Sequence, residues 1–370
     1  MIKSSLGVLL SLALSVAILP NMAVAKTATE KPAKTSKKSV SKKVAAKRVS
    51  KKVSSKKASQ KNKKVAAKSK SRSYAQRSQK PGFQRVSFSS RTSAVPAPAT
   101  AGDMAGLNLT RDPLELSSNA VLIMDQNTSE VLLDKNSQVA LPMASITKLM
   151  TSLVVLEANQ NMDEILQVTE EDIDTVKRTH SRLAIGSQLS RANMLHIALM
   201  SSENRAANAL GRHYPGGLPA FIAAMNAKAR ALGMHSTRYV DPTGLSSGNV
   251  SSARDLAKLV VAAYQHPIIR YYSTNSNYAV EPGRHVLHYR NSNNLVSNPD
   301  WEIGLQKTGY ISEAGRCLVM QATIDGRQVV MVFLDSKGKH SRLADAARVR
   351  RWLEGSKPSV MARPIVAQQG

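Results

Sequence analysis

The segment Arg316–Ser336, which reads RCLVMQATIDGRQVVMVFLDS, indicates the fold class of this 370-residue chain. Two apolar runs, Arg316–Ile324 and Arg327–Ser336, flank the dipeptide Asp325-Gly326. Asp-Gly between two such runs is the strongest short-range signal for a two-residue β-hairpin, because glycine tolerates the positive φ that this turn requires. The segment therefore predicts two long antiparallel strands near the end of the chain.

Further apolar runs predict three more strands. Asn119–Asp125 and Ser129–Lys135 are separated by three polar residues, which predicts a second hairpin near the start of the folded body. The apolar segment Trp301–Leu305 leads into Gln306–Tyr310, so this stretch should form a strand just before the terminal hairpin. The predicted strands thus come from both ends of the body.

Six segments show helical apolar spacing or helix-capping residues. We predict helices at about Ser145–Leu156, Ala192–Met200, Arg205–His213, Leu218–Leu232, Ser252–Gln265 and about Ser341–Leu353. Strands on both sides of a helical block do not make an alternating β-α pattern. We therefore predict an α+β fold, in which a five-stranded antiparallel sheet from both chain ends packs against helices, with a helical subdomain in addition.

The sequence Ser145-Ile146-Thr147-Lys148 opens the first of these helices. Residues three apart lie on one helix face, so the Ser145 hydroxyl and the Lys148 amine can meet. A lysine can remove the proton of a serine only when burial or a neighbouring cation lowers its pKa. The pair therefore predicts a second cation close by. The S-x-x-K pattern occurs three more times, but only Ser145 begins an amphipathic helix in the body.

The second cation is available in Lys307-Thr308-Gly309, a tripeptide that occurs once in the chain. A lysine and a hydroxyl group on one strand suit a carboxylate ligand, and the glycine lets a ligand approach the strand backbone. Taken alone, the tripeptide is more typical of a solvated strand end. Its meaning therefore depends on the other motifs.

The sequence Ser202-Glu203-Asn204 forms a polar break between the predicted helices Ala192–Met200 and Arg205–His213. A loop there could aim Ser202 and Asn204 into a cleft, although the same residues alone are typical of a helix-capping turn. S-x-N occurs at four other serines, one of them Ser292, but only Ser202 lies between two apolar helical runs. The position of this motif distinguishes it from the others.

The order S-x-x-K, S-x-N, K-T-G is the motif set of penicillin-binding proteins and serine β-lactamases. The spacing is 57 residues from Ser145 to Ser202 and 105 residues from Ser202 to Lys307. On these motifs the chain resembles a low-molecular-mass penicillin-binding protein of the D-Ala-D-Ala peptidase kind, across roughly residues 110–355. Within that group it is most similar to the D-alanyl-D-alanine endopeptidases of the type of penicillin-binding proteins 7 and 8. Three further strings support the resemblance: Leu141–Ser145, Asp241–Leu245 and Gly315–Leu318.

The resemblance implies a β-lactamase/transpeptidase-like fold and a serine DD-peptidase that cleaves peptide cross-links of peptidoglycan. It implies that Ser145 attacks the D-Ala carbonyl group and becomes acylated. Lys148 would take the proton of this serine, and Ser202 would relay a proton toward the leaving amine. Glu203 stands where the motif usually has aspartate, a position that varies in the family.

The resemblance also implies how the substrate binds. Asn204 would orient the amide of the acyl chain, and Lys307 and Thr308 would hold the carboxylate of the substrate or of penicillin. The backbone N–H groups of Ser145 and Tyr310 would form the oxyanion hole, next to Gly309, where a ligand can approach the strand. β-Lactams would then be covalent inhibitors.

Other functions stay open. A β-lactamase is the closest alternative, but no E-x-x-L-N sequence that could supply its deacylating glutamate lies between Ser202 and Lys307. A D-Ala-D-Ala carboxypeptidase usually has a β-rich second domain and an anchoring helix, whereas 61 residues follow Gly309, which favours an endopeptidase. A non-catalytic envelope-binding protein is a third possibility.

Gly244–Gly248 matches the nucleophile motif G-x-S-x-G. The match lies in a Pro- and Gly-rich loop, without the preceding strand and following helix that this motif needs.

The positive charge of the chain is concentrated before the body. The chain has 52 basic and 25 acidic residues, a net charge of +27, and residues 26–100 contain 23 of the basic residues and one acid. This Lys-, Ser- and Ala-rich segment has almost no large apolar side chains, so we predict a disordered arm and Pro hinge over residues 26–108. Residues 26–95 either bind an anionic polymer or surface of the envelope or act as a solvated spacer. Export and the scarcity of aromatic residues argue against nucleic acid as a partner.

Residues 1–25 have the features of a secretory signal peptide, with Lys3, an apolar run from Leu6 to Pro20, and Ala23-Val24-Ala25 before the cleavage site. The run is shorter than the ~20 residues that span a bilayer, which disfavours an uncleaved anchor. We therefore predict a periplasmic protein. The predicted division of the chain is a signal peptide at 1–25, the arm at 26–108, a catalytic domain at 109–355 and a polar tail at 356–370.

No metal or other cofactor is predicted. The eight histidines show no H-E-x-x-H or similar spacing. The single cysteine, Cys317, excludes an intramolecular disulfide and a thiolate cluster supplied by one chain. Because Cys317 opens an apolar strand, we predict that it is a small core residue.

Overall fold

A computed structural model of the chain describes residues 99–355. The predicted signal peptide, residues 26–98 of the predicted arm and the predicted tail at 356–370 lie outside the described residues. The described strands are β1 (Ser118–Asp125), β2 (Val131–Lys135), β3 (Leu141–Pro142), β4 (Ile165–Gln167), β5 (Gln188–Ser190), β6 (Val250–Ser251), β7 (Asn277–Val280), β8 (Leu287–Arg290), β9 (Glu302–Ile311), β10 (Gly315–Ile324) and β11 (Arg327–Ser336).

The described helices include the six that the sequence predicts and two more. They are α1 (Ala101–Met104), α2 (Thr147–Glu157), α3 (Arg191–Met200), α4 (Asn204–Arg212), α5 (Gly217–Ala231), α6 (Ala253–Tyr264), α7 (Pro267–Thr274) and α8 (Ser341–Gly355). Capping residues set several of the boundaries. Ser252, for example, accepts a hydrogen bond from the Asp255 backbone N–H at the start of α6, as its sequence predicts.

The main sheet has five antiparallel strands in the order β2-β1-β11-β10-β9. This order confirms the prediction that strands from both chain ends form one sheet. Ile324 pairs with Arg327 across the tip of the terminal hairpin, and Asp325 and Gly326 both have a positive φ. The Asp-Gly turn therefore has the conformation that its sequence predicts.

Helices cover both faces of the sheet. The larger apolar core lies between one face and the helices α2, α3 and α6, and includes Ile146, Leu149 and Val319. A smaller core lies under α8 on the opposite face and includes Leu318 and Phe333. Each such fully buried side chain contributes ~1.5–3 kcal/mol to folding. Because neighbouring residues of a strand point to opposite faces, Leu318 and Val319 serve different cores.

The folded body begins before residue 109, where we placed the boundary. Thr100 caps α1 and donates a hydrogen bond from Oγ1 to Asp335 Oδ2 at 2.7 Å, and the Gly102 N–H donates to the same oxygen at 3.0 Å. Asp335 is buried at the end of β11, so it binds the first residues of the body to the central sheet. Residues 100–108 carry little apolar periodicity, so the sequence pattern did not reveal this attachment.

The sequence pattern also missed a hairpin and a helix between α6 and β9. β7 pairs with β8, and α7 begins with a proline at its first turn, a position that suits proline because its missing N–H has no partner there anyway. α7 packs against β9 and α3. Both elements are short and partly exposed, so they leave only a weak periodic signal.

Candidate active site

Ser145 lies in a tight turn that leads directly into α2. The turn is a 3₁₀ segment, Ala144–Ile146, and α2 begins at Thr147 rather than at Ser145 as predicted. Ala144 has a positive φ of 50°, which bends the chain sharply before the serine. Ala144 and Ile146 are fully buried, whereas Ser145 is partly exposed. The serine is therefore presented to solvent by a turn that the core holds in place.

The Lys148 amine is buried beside this serine. Its Nζ donates hydrogen bonds to Ser145 Oγ at 2.9 Å, to Asn204 Oδ1 at 2.7 Å and to the Thr243 carbonyl oxygen at 2.8 Å. Burial of the side chain lowers the pKa of Lys148 from 10.5 to about 7. The expected contact between serine and lysine is thus present, and the amine has the electrostatics that a base requires.

Three carboxylates near Lys148 act against this effect of burial. They belong to Asp241, Glu203 and Asp174, in decreasing order of influence, and each raises the pKa of Lys148. A nearby negative charge favours the ammonium form, so the carboxylates keep the pKa from falling further. A lysine with a pKa of about 7 is partly neutral at neutral pH and can then accept a proton.

A second buried amine, Lys307, faces Ser202. Its Nζ donates hydrogen bonds to Ser202 Oγ and to the Thr308 carbonyl oxygen, both at 2.9 Å. Burial lowers the pKa of Lys307 well below its usual value, and repulsion from Lys148 and Arg342 lowers it further. Lys307 is thus the second cation expected near Lys148, although burial rather than Lys307 accounts for the lowered pKa of Lys148.

The S-x-N motif forms the break between α3 and α4. Ser202 has a positive φ of 67°, which is uncommon for a residue with a side chain and turns the chain between the two helices. Asn204 is the first residue of α4, and its Nδ2 donates a hydrogen bond to Thr179 Oγ1 at 3.0 Å. The Ser181 hydroxyl donates to Glu203 Oε1 at 2.7 Å. The motif is therefore tied both to Lys148 and to the preceding loop.

The K-T-G motif lies in β9, against the turn that holds Ser145. A Cβ atom on Gly309 would lie 2.9 Å from the Met143 carbonyl oxygen and 3.2 Å from the Ser145 backbone nitrogen, so only glycine allows this approach. Thr308 Oγ1 donates a hydrogen bond to Ser292 Oγ at 2.7 Å. The Tyr310 side chain is half exposed and lies under the Arg316 guanidinium, 4.4 Å from the ring centre.

The three motifs surround one cleft with a volume of about 530 Å³. Six of the eight predicted site residues line it: Ser145, Ser202, Asn204, Thr308, Gly309 and Tyr310. Lys148 and Lys307 are fully buried behind the wall and reach Ser145 and Ser202 from within. The arrangement places two hydroxyl groups in the cleft, each in contact with a buried amine, which suits nucleophilic attack and proton transfer.

A family model described as D-alanyl-D-alanine carboxypeptidase, peptidase family S11, matches residues 108–338. The chain belongs to peptidase family S11. It is accordingly a serine hydrolase, and the resemblance noted from the three motifs is confirmed.

Curated relatives of this S11 peptidase have similar sequences over most of their length. The D-alanyl-D-alanine endopeptidase of Pseudomonas aeruginosa is 47% identical over 288 residues, which cover 77% of this chain and 90% of the relative. The D-alanyl-D-alanine endopeptidase of Escherichia coli is 45% identical over 277 residues, covering 74% and 88% of the two chains. Both relatives are named D-alanyl-D-alanine endopeptidase, the group that the three motifs indicated.

Solved structures share the fold of this S11 peptidase. The crystal structure of the Streptomyces K15 DD-transpeptidase matches with a TM-score of 0.62 and 26% identity, covering 66% of this chain and all of that one. Penicillin-binding protein D2 of Listeria monocytogenes in its cefotaxime-bound form matches with a TM-score of 0.59 and 27% identity, covering 65% and 98%. The predicted transpeptidase-like fold is confirmed.

The cleft contains residues that no motif indicated. Arg342 is buried in α8 and lines the cleft, and neither its Nε nor its Nη1 has a hydrogen-bond partner among the described residues. Ser292 contacts Thr308, and Thr179 contacts Asn204. Ser292 begins one of the four other S-x-N sequences, which we set aside because they do not lie between two apolar helical runs. Arg342 stands in an arginine-rich helix, where no local pattern distinguishes it.

The loop Asp241–Leu245 supports the nucleophile from behind. Its Thr243 carbonyl accepts the hydrogen bond from Lys148, and the Pro242 carbonyl accepts one from Thr151 Oγ1 at 2.7 Å. Gly244 packs so closely that a Cβ atom would lie 1.9 Å from the Ala144 carbonyl oxygen. This glycine is the first of the G-x-S-x-G match, so it serves the Ser145 turn and not a second nucleophile.

The remaining reactive residues lie outside the cleft. Cys317 is fully buried, and burial raises the pKa of its thiol to about 12, which confirms its place as a core residue. Within residues 99–355 we find no cluster of three or more His, Cys, Asp or Glu that could hold a metal ion. None of the helices in this part of the chain combines the length and the apolar character that a membrane span needs.

Proposed function

We propose that the protein is a penicillin-sensitive serine DD-peptidase that hydrolyses D-Ala-containing peptide cross-links of peptidoglycan. The observation that carries this proposal is the contact between the Lys148 amine, with its pKa of about 7, and the Ser145 hydroxyl in the cleft. The names of the relatives at 45% and 47% identity support the same substrate class. Carboxypeptidases are among the more distant relatives, at 29% identity.

Acylation follows from the two buried amines. Neutral Lys148 accepts the proton of the Ser145 hydroxyl while Oγ bonds to the D-Ala carbonyl carbon. The resulting oxyanion receives hydrogen bonds from the backbone N–H groups of Ser145 and Tyr310, and each such donor contributes ~10²–10³ in rate. As the peptide C–N bond breaks, a proton passes through Ser202 to the leaving amine. A water molecule then hydrolyses the ester and regenerates Ser145.

Basic and hydroxyl side chains at the cleft orient the substrate. The Lys307 amine contacts Ser202 from behind the wall, Thr308 and Arg342 line the cleft, and the Arg342 guanidinium has unpaired buried donors. A carboxylate on the residue after the scissile bond compensates these charges and fixes the direction of the peptide. Asn204 supports the Lys148 amine through Oδ1 and orients the amide of the acyl chain.

Labelling with a fluorescent penicillin tests the nucleophile. We expect the wild-type protein to be labelled covalently at Ser145 and the Ser145→Ala variant to be unlabelled. We also expect the label to stay bound, because no E-x-x-L-N sequence supplies a deacylating base. Equal labelling of both proteins would refute the assignment of Ser145.

Purified cross-linked muropeptides test the substrate. We expect the wild type to convert dimers into monomers. Binding of dimers without conversion would favour the envelope-binding alternative, and release of D-alanine from single peptides without cleavage of dimers would favour the carboxypeptidase.

We further propose that the protein is exported to the periplasm and that residues 26–95 bind an anionic envelope polymer or surface. The signal-peptide pattern of residues 1–25 and the charge of the arm support this. Deletion of residues 26–95 should abolish sedimentation with purified cell wall at low salt and leave penicillin labelling unchanged. Unchanged sedimentation would make the arm a spacer.

A further inference from the structure

A second pocket adjoins the cleft on the side of Tyr310. It has a volume of about 360 Å³, and it shares Tyr310 and Ser312 with the cleft. We call it the basic side pocket because three cations line it, namely Arg316, Lys337 and Lys339. Because the two pockets share residues, a substrate in the cleft that extends beyond the scissile bond can reach the basic side pocket.

The positive charge of this pocket is only partly compensated. Lys337 forms an ion pair with Asp103, with 2.6 Å between Nζ and Oδ1. In the part of the chain that the structure describes, no carboxylate lies within ion-pair distance of Arg316 or Lys339. The Arg316 guanidinium instead stacks on Tyr310, which leaves its N–H donors available at the pocket.

The pocket continues the carboxylate-binding side of the cleft. Thr308 pairs with Leu318 and Tyr310 pairs with Arg316, so these four side chains share the face of the sheet that carries α8. Arg342 of α8 also reaches this side, and repulsion from Arg316 helps to lower the pKa of the Arg342 guanidinium. Arg316 and Arg342 are therefore close enough to repel each other, and an anion between or beside them would relieve this repulsion.

A β-bulge shapes the floor of the pocket. The pairing of β10 with β11 shifts register between Arg316 and Leu318, and Asp335 at the bulge has a positive φ of 53°. Gly315 is obligatory there, because a Cβ atom would lie 2.3 Å from Asp335 Oδ1. Bulges beside active sites redirect side chains, and this one lies where Arg316 and Lys337 enter the pocket.

We propose that the basic side pocket binds carboxylates of the second peptide strand of a cross-link, the strand that departs with the leaving amine. The inference rests on the proposed function. In a carboxypeptidase reaction the leaving group is a single D-alanine, whose one carboxylate occupies the site at Thr308 and Arg342. In a cross-link the leaving amine belongs to a longer peptide with further carboxylates, and the pocket lies on its path. Arg316 and Lys339 therefore select cross-linked substrates.

The experiment compares a substrate that reaches the pocket with a ligand that does not. Arg316→Gln combined with Lys339→Gln removes the two unpaired cations, and Lys228→Gln combined with Arg230→Gln on α5 removes two charges elsewhere. Cross-linked muropeptide dimers are the extended substrate. Penicillin, which has one carboxylate and no second strand, is the reference, and thermal unfolding verifies that each variant is folded. Lys339→Gln alone provides a variant that changes only an exposed side chain.

We expect the Arg316→Gln/Lys339→Gln variant to lose about tenfold in kcat/KM for dimers, mainly through KM, since each charged contact contributes up to severalfold. Lys339→Gln alone should lose about threefold. Penicillin acylation should stay within about twofold, and about 0.5 M salt should reduce the difference because Lys339 is exposed and Arg316 is partly exposed. The α5 control should match the wild type.

Two results would overturn the inference alone. One is dimer cleavage at equal rates by wild type and variants, and the other is an equal loss for dimers and penicillin in a folded variant. If the wild type is labelled by penicillin and cleaves no dimer, the proposed function has failed and the inference fails with it. The two failures are therefore distinguishable.

Discussion

At the scale of single residues, the chemistry depends on the environment of Lys148. A lysine on a solvated helix is protonated at neutral pH and cannot act as a base. Burial lowers the pKa of Lys148 so that the amine is partly neutral, while the carboxylates of Asp241, Glu203 and Asp174 limit the decrease. Glu203 thus has an electrostatic role in addition to capping α4. The motif comparison alone treated Glu203 as a variable position.

The pH dependence of acylation follows from this balance. The rate of penicillin labelling should rise with pH and level off above about 7, because Lys148 accepts a proton only in its neutral form. Glu203→Gln removes a charge that favours the ammonium form, so the pKa falls and the rise moves to lower pH. We expect labelling at about pH 6 to be ~two- to threefold faster than in the wild type.

Glu171→Gln is the control for this experiment, because Glu171 is exposed, pairs with Arg212 and is not among the carboxylates that shift the pKa of Lys148. Its pH profile should match that of the wild type. A Glu203→Gln profile that is unshifted or shifted to higher pH would contradict the electrostatic explanation.

Arg342 illustrates how function can reduce stability. Its guanidinium is buried with unpaired donors, so Arg342→Met should leave the free energy of unfolding unchanged or raise it by ~1 kcal/mol or more. Substrate binding should weaken at the same time, with KM for dimers rising ~tenfold or more. Arg191→Met is the comparison, because Arg191 is also buried but pairs with Glu164 and donates a hydrogen bond from Nε to the Asn161 carbonyl oxygen. It should lose ~1–3 kcal/mol. Thermal unfolding and steady-state kinetics measure the two effects, and a destabilised Arg342→Met would contradict the prediction.

At the scale of structural elements, three separate segments hold the Ser145 turn. β9 approaches it through Gly309, the Asp241–Leu245 loop through Gly244, and α2 follows it directly. A Cβ atom on Gly244 would overlap the Ala144 carbonyl group, and one on Gly309 would lie 2.9 Å from the Met143 carbonyl oxygen, so a side chain at either position would push the turn away. The position of the nucleophile therefore depends on close backbone packing between elements that are distant in sequence.

Gly244→Ala tests this packing. Gly244 and Gly326 have nearly the same positive φ, 81° and 79°, but a Cβ atom on Gly244 meets the Ala144 backbone and one on Gly326 meets nothing within 4 Å. Gly326→Ala should cost only the ~1–2 kcal/mol of the left-handed conformation and leave labelling intact. Gly244→Ala should destabilise further and slow penicillin labelling by ~tenfold or more. Equal effects on labelling would show that the loop does not position Ser145.

At the scale of the whole molecule, the first described residues are attached to the end of β11 in the central sheet. Asp335 accepts hydrogen bonds from Thr100, Gly102 and Asn119, and desolvation raises its pKa. Without Thr100 and Gly102, this buried carboxyl group would lose two of these three hydrogen-bond donors, which offset the cost of its desolvation. The body therefore includes residues 100–108, which lie before the predicted boundary at residue 109.

Two truncations test this boundary. A chain that begins at residue 99 should unfold at the same temperature as a chain that also contains the arm. A chain that begins at residue 109 should unfold about 5–10 °C lower, because Asp335 loses two donors at ~1–3 kcal/mol in total. Equal melting temperatures for the two truncated chains would mean that residues 99–108 do not contribute to the stability of the body.

Much of the fold followed from local patterns. The Asp325-Gly326 turn, the caps of α6 and the apolar runs of β1, β9, β10 and β11 are encoded in neighbouring residues, and the structure has them where the sequence predicts. α7, the β7–β8 hairpin and the start of the body were missed because their stability comes from contacts with distant segments. Their own residues show no clear period.

The sequence by itself determined the class of sheet, the three motifs and, through their order, the family. Only the tertiary structure decided that Lys148 is buried enough to have a pKa of about 7, that Arg342 and Ser292 belong to the cleft, and that Arg316 and Lys339 extend its charge. The physical reason is that periodicity and turn chemistry act between neighbours in the chain. Desolvation and Coulomb interactions act between neighbours in space, and these are set only when the sheet brings both chain ends together.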